Sequence, residues 1–360
     1  MELLILKTGA LGDVLRTTAI LPGLRTRYPQ MRVTWVTAPA ARDLVALHPE
    51  VARVVELDVS EDASLHSTGE ELSGVGFQRI LSLDDEEPMC RLASRIHAAS
   101  PGAHLTGAFL AEDGSRTYTE DAAPWFDMGL LSRFGKERAD AMKRENRESQ
   151  GAIYARMLGI EPGRPELPLP DGALAFAAAF AERTDLHGAG PVIGLNTGAG
   201  GRWESKRLPP DRVVELAREL DRRLDRPTFL LFGGPDERER NARIAERIAR
   251  ETEARLVDAG VENALLDFAA LLDRVDLLVT SDSLALHIAL ARRRPVVAFF
   301  APTSAAEIDV AGLGEKVVST APDACTYRPD VDTSTLTVER LADAACRVLA
   351  AHASRAEADA

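Results

Sequence analysis

The sequence predicts an α/β protein built from two Rossmann-like lobes with parallel sheets. Three observations predict it. Short apolar runs alternate with stretches of helical apolar spacing along most of the chain, the pattern of strands joined by crossover helices. That pattern stops at a Pro- and Gly-rich stretch and then starts again. A chain of 360 residues is too long for one ordinary core and suits two domains of roughly 150 to 180 residues each.

The first lobe opens with an apolar strand over Leu3 to Leu6, a turn Thr8-Gly-Ala-Leu-Gly-Asp13, and helical spacing from Val14 to Arg27. A second strand over Arg32 to Thr37 follows Tyr28-Pro29, completing a βαβ start whose crossover is expected to be right-handed. Next come a helix near Ala41 to Leu47, a strand near Val51 to Leu57, and a strand near Arg79 to Leu83 that runs into Asp84-Asp85-Glu86-Glu87. Doubly wound sheets present ligands at the carboxyl ends of their strands, so Asp13 and the acidic run are expected at that edge. Residues 113–150 are polar and carry both charges, and a helix over Glu148 to Leu158 closes the lobe.

The segment Glu161 to Gly172 holds four prolines and two glycines and reads as the interdomain linker. Beyond it the spacing predicts strands at Pro191 to Leu195, Thr228 to Phe232, Ala254 to Asp258, Leu277 to Thr280, Val296 to Phe300 and Lys316 to Ser319. Helices are expected over Asp211 to Leu224, Glu237 to Arg250 and Leu265 to Leu272, with another starting near Asp282. The resulting division is an N-terminal lobe over 1–160, a linker over 161–172, a C-terminal lobe over 173–336, and a last helix with a fraying polar tail over 337–360.

A formal charge of -13 argues against a phosphate-tracking nucleic-acid binder, which needs a basic face, and leaves only a local basic patch open. Cys90, Cys325 and Cys346 have no metal-ligand spacing and are odd in number, which fits a reducing compartment. The opening apolar run is too short for a signal-peptide core, and no later run approaches a membrane span. A cytoplasmic protein is expected, with peripheral contact at the membrane's inner face as the way to meet a lipid-linked acceptor.

Three stretches carry chemistry. Asp13 reads either as a helix N-cap or as a general base that takes a proton from an attacking sugar hydroxyl. The loop Asn196-Thr-Gly-Ala-Gly-Gly-Arg-Trp-Glu-Ser-Lys206 follows a buried strand and reads as a phosphate cradle, with amides at Gly198, a hydroxyl at Thr197 and an ammonium at Lys206. It lacks the spacing of a P-loop. At Thr280-Ser-Asp-Ser-Leu-Ala-Leu-His287 a strand meets a helix whose first N–H groups, at Ser283, Leu284 and Ala285, suit a pyrophosphate. His287 reads as a phosphate donor or as a structural histidine, and Asp282 as an N-cap or an acceptor of donor-sugar hydroxyls. No clustered ligand set for a metal is visible, and no cofactor is expected.

Together these stretches resemble the heptosyltransferases of glycosyltransferase family 9, strongest at Leu4 to Pro22, Asn196 to Pro209 and Val279 to Thr303. The resemblance implies the GT-B architecture, with two lobes facing a central cleft. It implies Asp13 as catalytic base, Lys206 and Thr197 at the donor phosphates, and Glu237 at the nucleotide ribose. The family motif D-T-G-x-x-H is similar to Asp282-Ser-Leu-Ala-Leu-His287, where Leu284 stands in place of glycine. Implied partners are a nucleotide-sugar donor, ADP-heptose in the family, and a glycan, lipid-linked or small-molecule acceptor. The reaction expected is one displacement with inversion and without metal. Asp84 and Asp85 are assigned to the acceptor side, where an acidic run repels an anionic acceptor and favours a neutral or amine-bearing one, unless it is a solvated loop. The rival functions are a sugar-nucleotide 2-epimerase and a non-catalytic nucleotide-sugar-binding protein.

Overall fold

A computed structural model describes residues 1–186, 188, 190–201 and 203–359, the side chains of 356–359 excepted. The chain divides into two compact units, Met1–Pro168 and Leu169–Ala360. The division falls inside the Pro-rich stretch 161–172, because a segment that cannot supply ladder N–H groups gathers few contacts.

The first unit holds β1 (Glu2–Leu6), β2 (Arg32–Thr37), β3 (Val51–Glu56), β4 (Arg79–Ser82), β5 (His104–Leu110) and β6 (Arg116–Tyr118). They form one sheet in the order β3-β2-β1-β4-β5-β6. All pairs are parallel except β5 with β6, which is an antiparallel hairpin. The second unit holds β7 (Val192–Asn196), β8 (Thr228–Phe232), β9 (Arg255–Asp258), β10 (Leu277–Ser281), β11 (Val296–Phe300) and β12 (Gly314–Val318), all parallel. Their order, β12-β11-β10-β7-β8-β9, repeats that of the first sheet. Each unit is doubly wound, with its switch point between its first and fourth strands, β1/β4 and β7/β10.

The central strands are covered on both faces, which explains why β1, β2, β7, β8, β10 and β11 read as near-unbroken apolar runs, while the edge strands β3, β6, β9 and β12 are part-exposed. Leu4, Leu6, Val36, Phe77, Ile80, Met89 and Ile96 form part of the first core. Ile193, Leu195, Val213, Leu220, Phe229, Ile244 and Val297 form part of the second. Leu341, Ala345 and Val348 of the last helix, Val338–Asp359, join that second core. The expected fraying tail is therefore helical as far as Asp359.

Several expectations shift in detail. The single helix expected over Val14 to Arg27 is two helices, Leu11–Thr17 and Leu21–Arg27, joined by a 3-10 turn over Thr18–Ile20. Pro22 has no N–H to bond back one turn, and it starts the second helix instead. The helix expected near Ala41 to Leu47 is a 3-10 turn, Pro39–Leu44. Helices Asp62–Ser73, Glu87–Ala98 and Asp171–Arg183 and strands β5 and β6 were not apparent in the periodicity. The helix Asp171–Arg183 also takes the last two residues of the expected linker. Gly107 in β5 has φ 120°, and a Cβ there would lie 1.8 Å from the Ser82 carbonyl, so only glycine lets β5 close against the end of β4.

Candidate functional site

Polar side chains collect at the carboxyl end of the sheet in each unit. In the first, Lys7 and Asp84 follow the adjacent strands β1 and β4 and form a buried ion pair. The second Asp84 oxygen, Oδ2, accepts the Thr8 backbone N–H at 2.5 Å and the Thr8 hydroxyl at 2.8 Å. Asp13 is the third residue of its helix, whose N-cap is Ala10, so the N-cap reading of Asp13 falls. Its Oδ1 lies 2.8 Å from an Arg16 guanidinium nitrogen, and its side chain is 37% exposed. Tyr154, 1% exposed, interacts electrostatically with Lys7, Arg16, Asp13 and Asp84. Burial by itself would lower the Lys7 pKa, but the Asp84 and Asp13 carboxylates outweigh it and hold the ammonium above its ordinary value. Burial pushes the Tyr154 phenol up, so it stays neutral.

The acidic run needs correction. Asp84 points into the structure, where a carboxylate at a strand end finds a buried ammonium on the neighbouring strand. Glu87 pairs with Arg91, and the Asp85 carbonyl accepts from Arg116 at 2.9 Å. Two of the four carboxylates are thus neutralised, Asp84 by Lys7 and Glu87 by Arg91, which halves the charge that the run can set against an anionic acceptor.

In the second unit the two predicted stretches converge. The Lys206 ammonium donates to the Asp282 carbonyl at 2.9 Å and to its carboxylate at 3.0 Å, and sits over the Trp203 ring. His287 is buried with Nε2 3.6 Å from Asp282 Oδ1, an electrostatic contact rather than a hydrogen bond. The helix N-cap is Ser283, so Asp282 is not the cap, and the helix runs Leu284–Ala291 with Leu284 and Ala285 as its first two residues. Leu284 has ordinary helical backbone, so leucine in place of glycine adds no strain. Asn196 Nδ2 donates to the Gly198 carbonyl at 2.8 Å, to Thr280 at 3.0 Å and to Ser283 at 3.2 Å, lacing the ends of β7 and β10 together.

Glu237 is buried at the end of β8, in the turn Pro235–Glu237. It accepts the Gly234 N–H at 2.9 Å and faces Arg207 at 3.3 Å. A Cβ on Gly198 would come 2.9 Å from its Oε2. Thr197 departs from expectation. Its hydroxyl lies 2.5 Å from Asn241 Oδ1 and 3.1 Å from the Phe232 carbonyl, and a hydroxyl has one proton to give, which goes inward rather than to a phosphate. Arg202 of the same loop lies outside the described residues.

Sequence reasoning missed Lys7, Tyr154, Asn196, Arg207 and Asn241. Only Lys7 left a signal, as a lysine directly after an apolar strand. Among the described residues, no three His, Cys, Asp or Glu side chains gather as metal ligands, and no helix is long and apolar enough to cross a membrane.

Two doubly wound units with polar clusters at their switch points define a Rossmann-type nucleotide-handling protein. The family is specific: the chain belongs to glycosyltransferase family 9 (heptosyltransferase), whose model matches residues 139–331. The protein is a glycosyltransferase, and the epimerase and binding-protein readings give way. Lipopolysaccharide heptosyltransferase 2 of Salmonella typhimurium is 24% identical over 315 residues, 84% of each chain. A glycosyl transferase family 9 crystal structure from Veillonella parvula superposes with a TM-score of 0.72 over 97% of both chains, at 19% identity. The structure of E. coli ADP-heptose lps heptosyltransferase II gives 0.66 over 98% of this chain and 99% of that one, also at 19% identity. These likenesses carry the GT-B fold.

Proposed function

We propose that the protein transfers a heptose from ADP-heptose to a hydroxyl of a lipopolysaccharide-core or related lipid-linked glycan, with inversion and without a metal. The observation that carries the donor half is the convergence of Lys206, Asp282 and the start of the Leu284–Ala291 helix on one switch point. A diphosphate gains there an ammonium and the N–H groups of a helix's first turn, which meet the charge that develops as the nucleoside diphosphate departs. Glu237 takes the ribose hydroxyls, Asp282 the donor sugar, and Ser283, Leu284, Ala285 and Gly198 line the phosphates, with His287 steadying Asp282. Asp13 is the base. Its carboxylate is more than one-third exposed and lies on the first helical turn after β1, a position suited to reach an acceptor hydroxyl.

The names of the relatives, which specify ADP-heptose and lipopolysaccharide, support this choice of substrates. The half-neutralised acidic run leaves room for an acceptor that carries its own anionic groups. Cys90, Cys325 and Cys346, none of them in a disulfide, fit a cytoplasmic enzyme. Exposed Leu130 and Phe134, just before the Lys136–Glu145 helix, are the surface for peripheral membrane contact, while Lys136 and Arg138 of that helix are paired with Asp140 and Glu145.

The test is transfer from ADP-heptose to a core oligosaccharide in chelator, with NMR assignment of the new anomeric centre. Full activity and an inverted centre are expected. Retention, or activity abolished by chelator and restored by a divalent cation, overturns the mechanism.

A further inference from the structure

We propose that Arg207 is a positioning residue for the nucleotide ribose: its guanidinium holds the Glu237 carboxylate in place, so that Lys206 and Arg207, adjacent in the chain, serve the diphosphate and the ribose respectively. The inference rests on Glu237 taking the ribose hydroxyls. Lys206 ends the 3-10 turn Glu204–Lys206, and Arg207 leaves it with extended backbone, φ -103° and ψ 140°. The two side chains part there. Lys206 reaches Asp282 after β10, whereas Arg207 reaches Glu237 after β8. In the sheet β7 stands between those two strands, so the dipeptide links the ends of both its neighbours. The dipeptide is itself held. Ser205 donates its N–H to the Pro329 carbonyl at 3.2 Å, and Arg207 donates its own to the Glu204 carbonyl at 2.9 Å.

The guanidinium lies between two carboxylates. Nη1 is 3.3 Å from Glu237 Oε1, and Nη2 is 2.8 Å from Glu204 Oε2. The Glu204 side chain is 73% exposed and that of Glu237 only 5%, so the two contacts differ in weight. A solvated pair contributes little, whereas a buried carboxylate needs its cation. The other Glu237 oxygen accepts the Gly234 N–H at 2.9 Å, which leaves each oxygen one fixed donor and a lone pair for a ribose hydroxyl. Gly198 of the phosphate loop passes so close that a Cβ would lie 2.9 Å from that oxygen, which sets the ribose and phosphate sites side by side. Arg240 also interacts electrostatically with Arg207, Glu204 and Glu237, but its guanidinium bonds the Leu208 carbonyl, so it adds charge without pinning the carboxylate. Without Arg207 the carboxylate loses the donor on Oε1 and turns or takes up a proton. Either way the fixed, charged acceptor is lost.

A role in folding or in general attraction of anions would weaken every ligand alike, whereas positioning of Glu237 changes how well the site tells a ribose from a deoxyribose. Isothermal titration calorimetry with ADP, 2′-deoxy-ADP and 3′-deoxy-ADP reads that ratio. In the wild-type protein ADP is expected to bind about tenfold or more tightly than at least one deoxy analogue, the effect of one hydrogen bond to a charged acceptor. In R207M the ratio is expected to fall at least about threefold, whatever happens to the ADP Kd itself. In E237Q it falls likewise, and R207M/E237Q shows no further change, because Arg207 acts through Glu237. R207M leaves a buried carboxylate without its cation. Should it not fold, R207K carries the test with the same expected fall, since one ammonium cannot span Glu204 and Glu237 as the fork does. A smaller fall in the folded variant overturns the proposal and leaves the ribose reading standing. That reading fails separately: if E237Q keeps the wild-type ratio, or the wild type shows none, Glu237 does not take the ribose and the proposal falls with it.

Discussion

Lys206→Ala tests the donor half of the mechanism most directly. In the free enzyme the ammonium makes two bonds to Asp282, and both side chains are about one-sixth exposed, at 17% and 16%. An ammonium has three N–H donors, so a phosphate oxygen can be met by the third without breaking the pair. Bonds between charged groups contribute about 1.5–3 kcal/mol, which corresponds to roughly a tenfold to hundredfold loss of ADP affinity. Taking one cation away from Asp282 adds repulsion toward the diphosphate, on the order of 1 kcal/mol at about 6 Å in a part-solvated site. The loss is therefore expected at the upper end of that range, and Lys206→Ala with Asp282→Asn should recover about fivefold of it. Isothermal titration calorimetry with ADP measures both, with circular dichroism to show that the variants are folded. An ADP Kd within twofold of wild type in folded Lys206→Ala would refute the reasoning, because the ammonium would then not grip the diphosphate at all.

Gly198→Ala sets a Cβ 2.9 Å from a Glu237 oxygen that Gly234 already pins, so a crowding cost of about 1 kcal/mol should appear in both the melting curve and adenosine affinity. Unchanged affinity for adenosine would separate Glu237 from the ribose. Burial pushes the Cys90 thiol up to about 12, so a thiol reagent at pH 8 should leave Cys90 unmodified until the protein unfolds. The folded state keeps that proton where the unfolded chain loses it, so this group's contribution to stability falls as pH rises from about 9 toward about 12. Rapid native labelling of all three cysteines would contradict the burial. Leu130 is 84% exposed and Phe134 54%, and Leu130→Asp with Phe134→Asp should lower affinity for anionic vesicles by at least about 100-fold, given about 1.5–3 kcal/mol per inserted side chain. Vesicle binding equal to wild type would move the membrane contact elsewhere.

The fold was legible wherever burial imposed one pattern. Strands β1, β2, β7, β8 and β11 are covered on both faces, so their apolar runs left few other readings, and Thr228–Phe232 was bounded to the residue. Legibility failed at a mostly solvated helix and also at Glu87–Ala98, whose buried stripe of Met89, Cys90, Leu92, Ala93 and Ile96 was open to view. Asp62–Ser73 buries only Thr68, Gly69 and Leu72, too sparse a stripe for periodicity to find. The 3-10 break at Thr18–Ile20 is different, since Pro22 was in plain view and its consequence for the helix before it was not drawn.

The site divides along the same line. Residues offered by a turn directly after a strand, such as Asp13, Lys206 and Asp282, are visible because turn chemistry is local. What a side chain does once there is decided by its neighbour across the sheet, which periodicity does not reveal. Thr197 looked like a phosphate donor until Asn241, 44 residues on, claimed its proton. Asp84 looked like a surface charge, yet the sheet order sets β4 beside β1 and so brings it to Lys7, 77 residues earlier in the chain. Strand order is therefore the missing variable: given β3-β2-β1-β4, a lysine ending one apolar strand and an aspartate ending its neighbour are expected to meet, because neither charge can be buried alone.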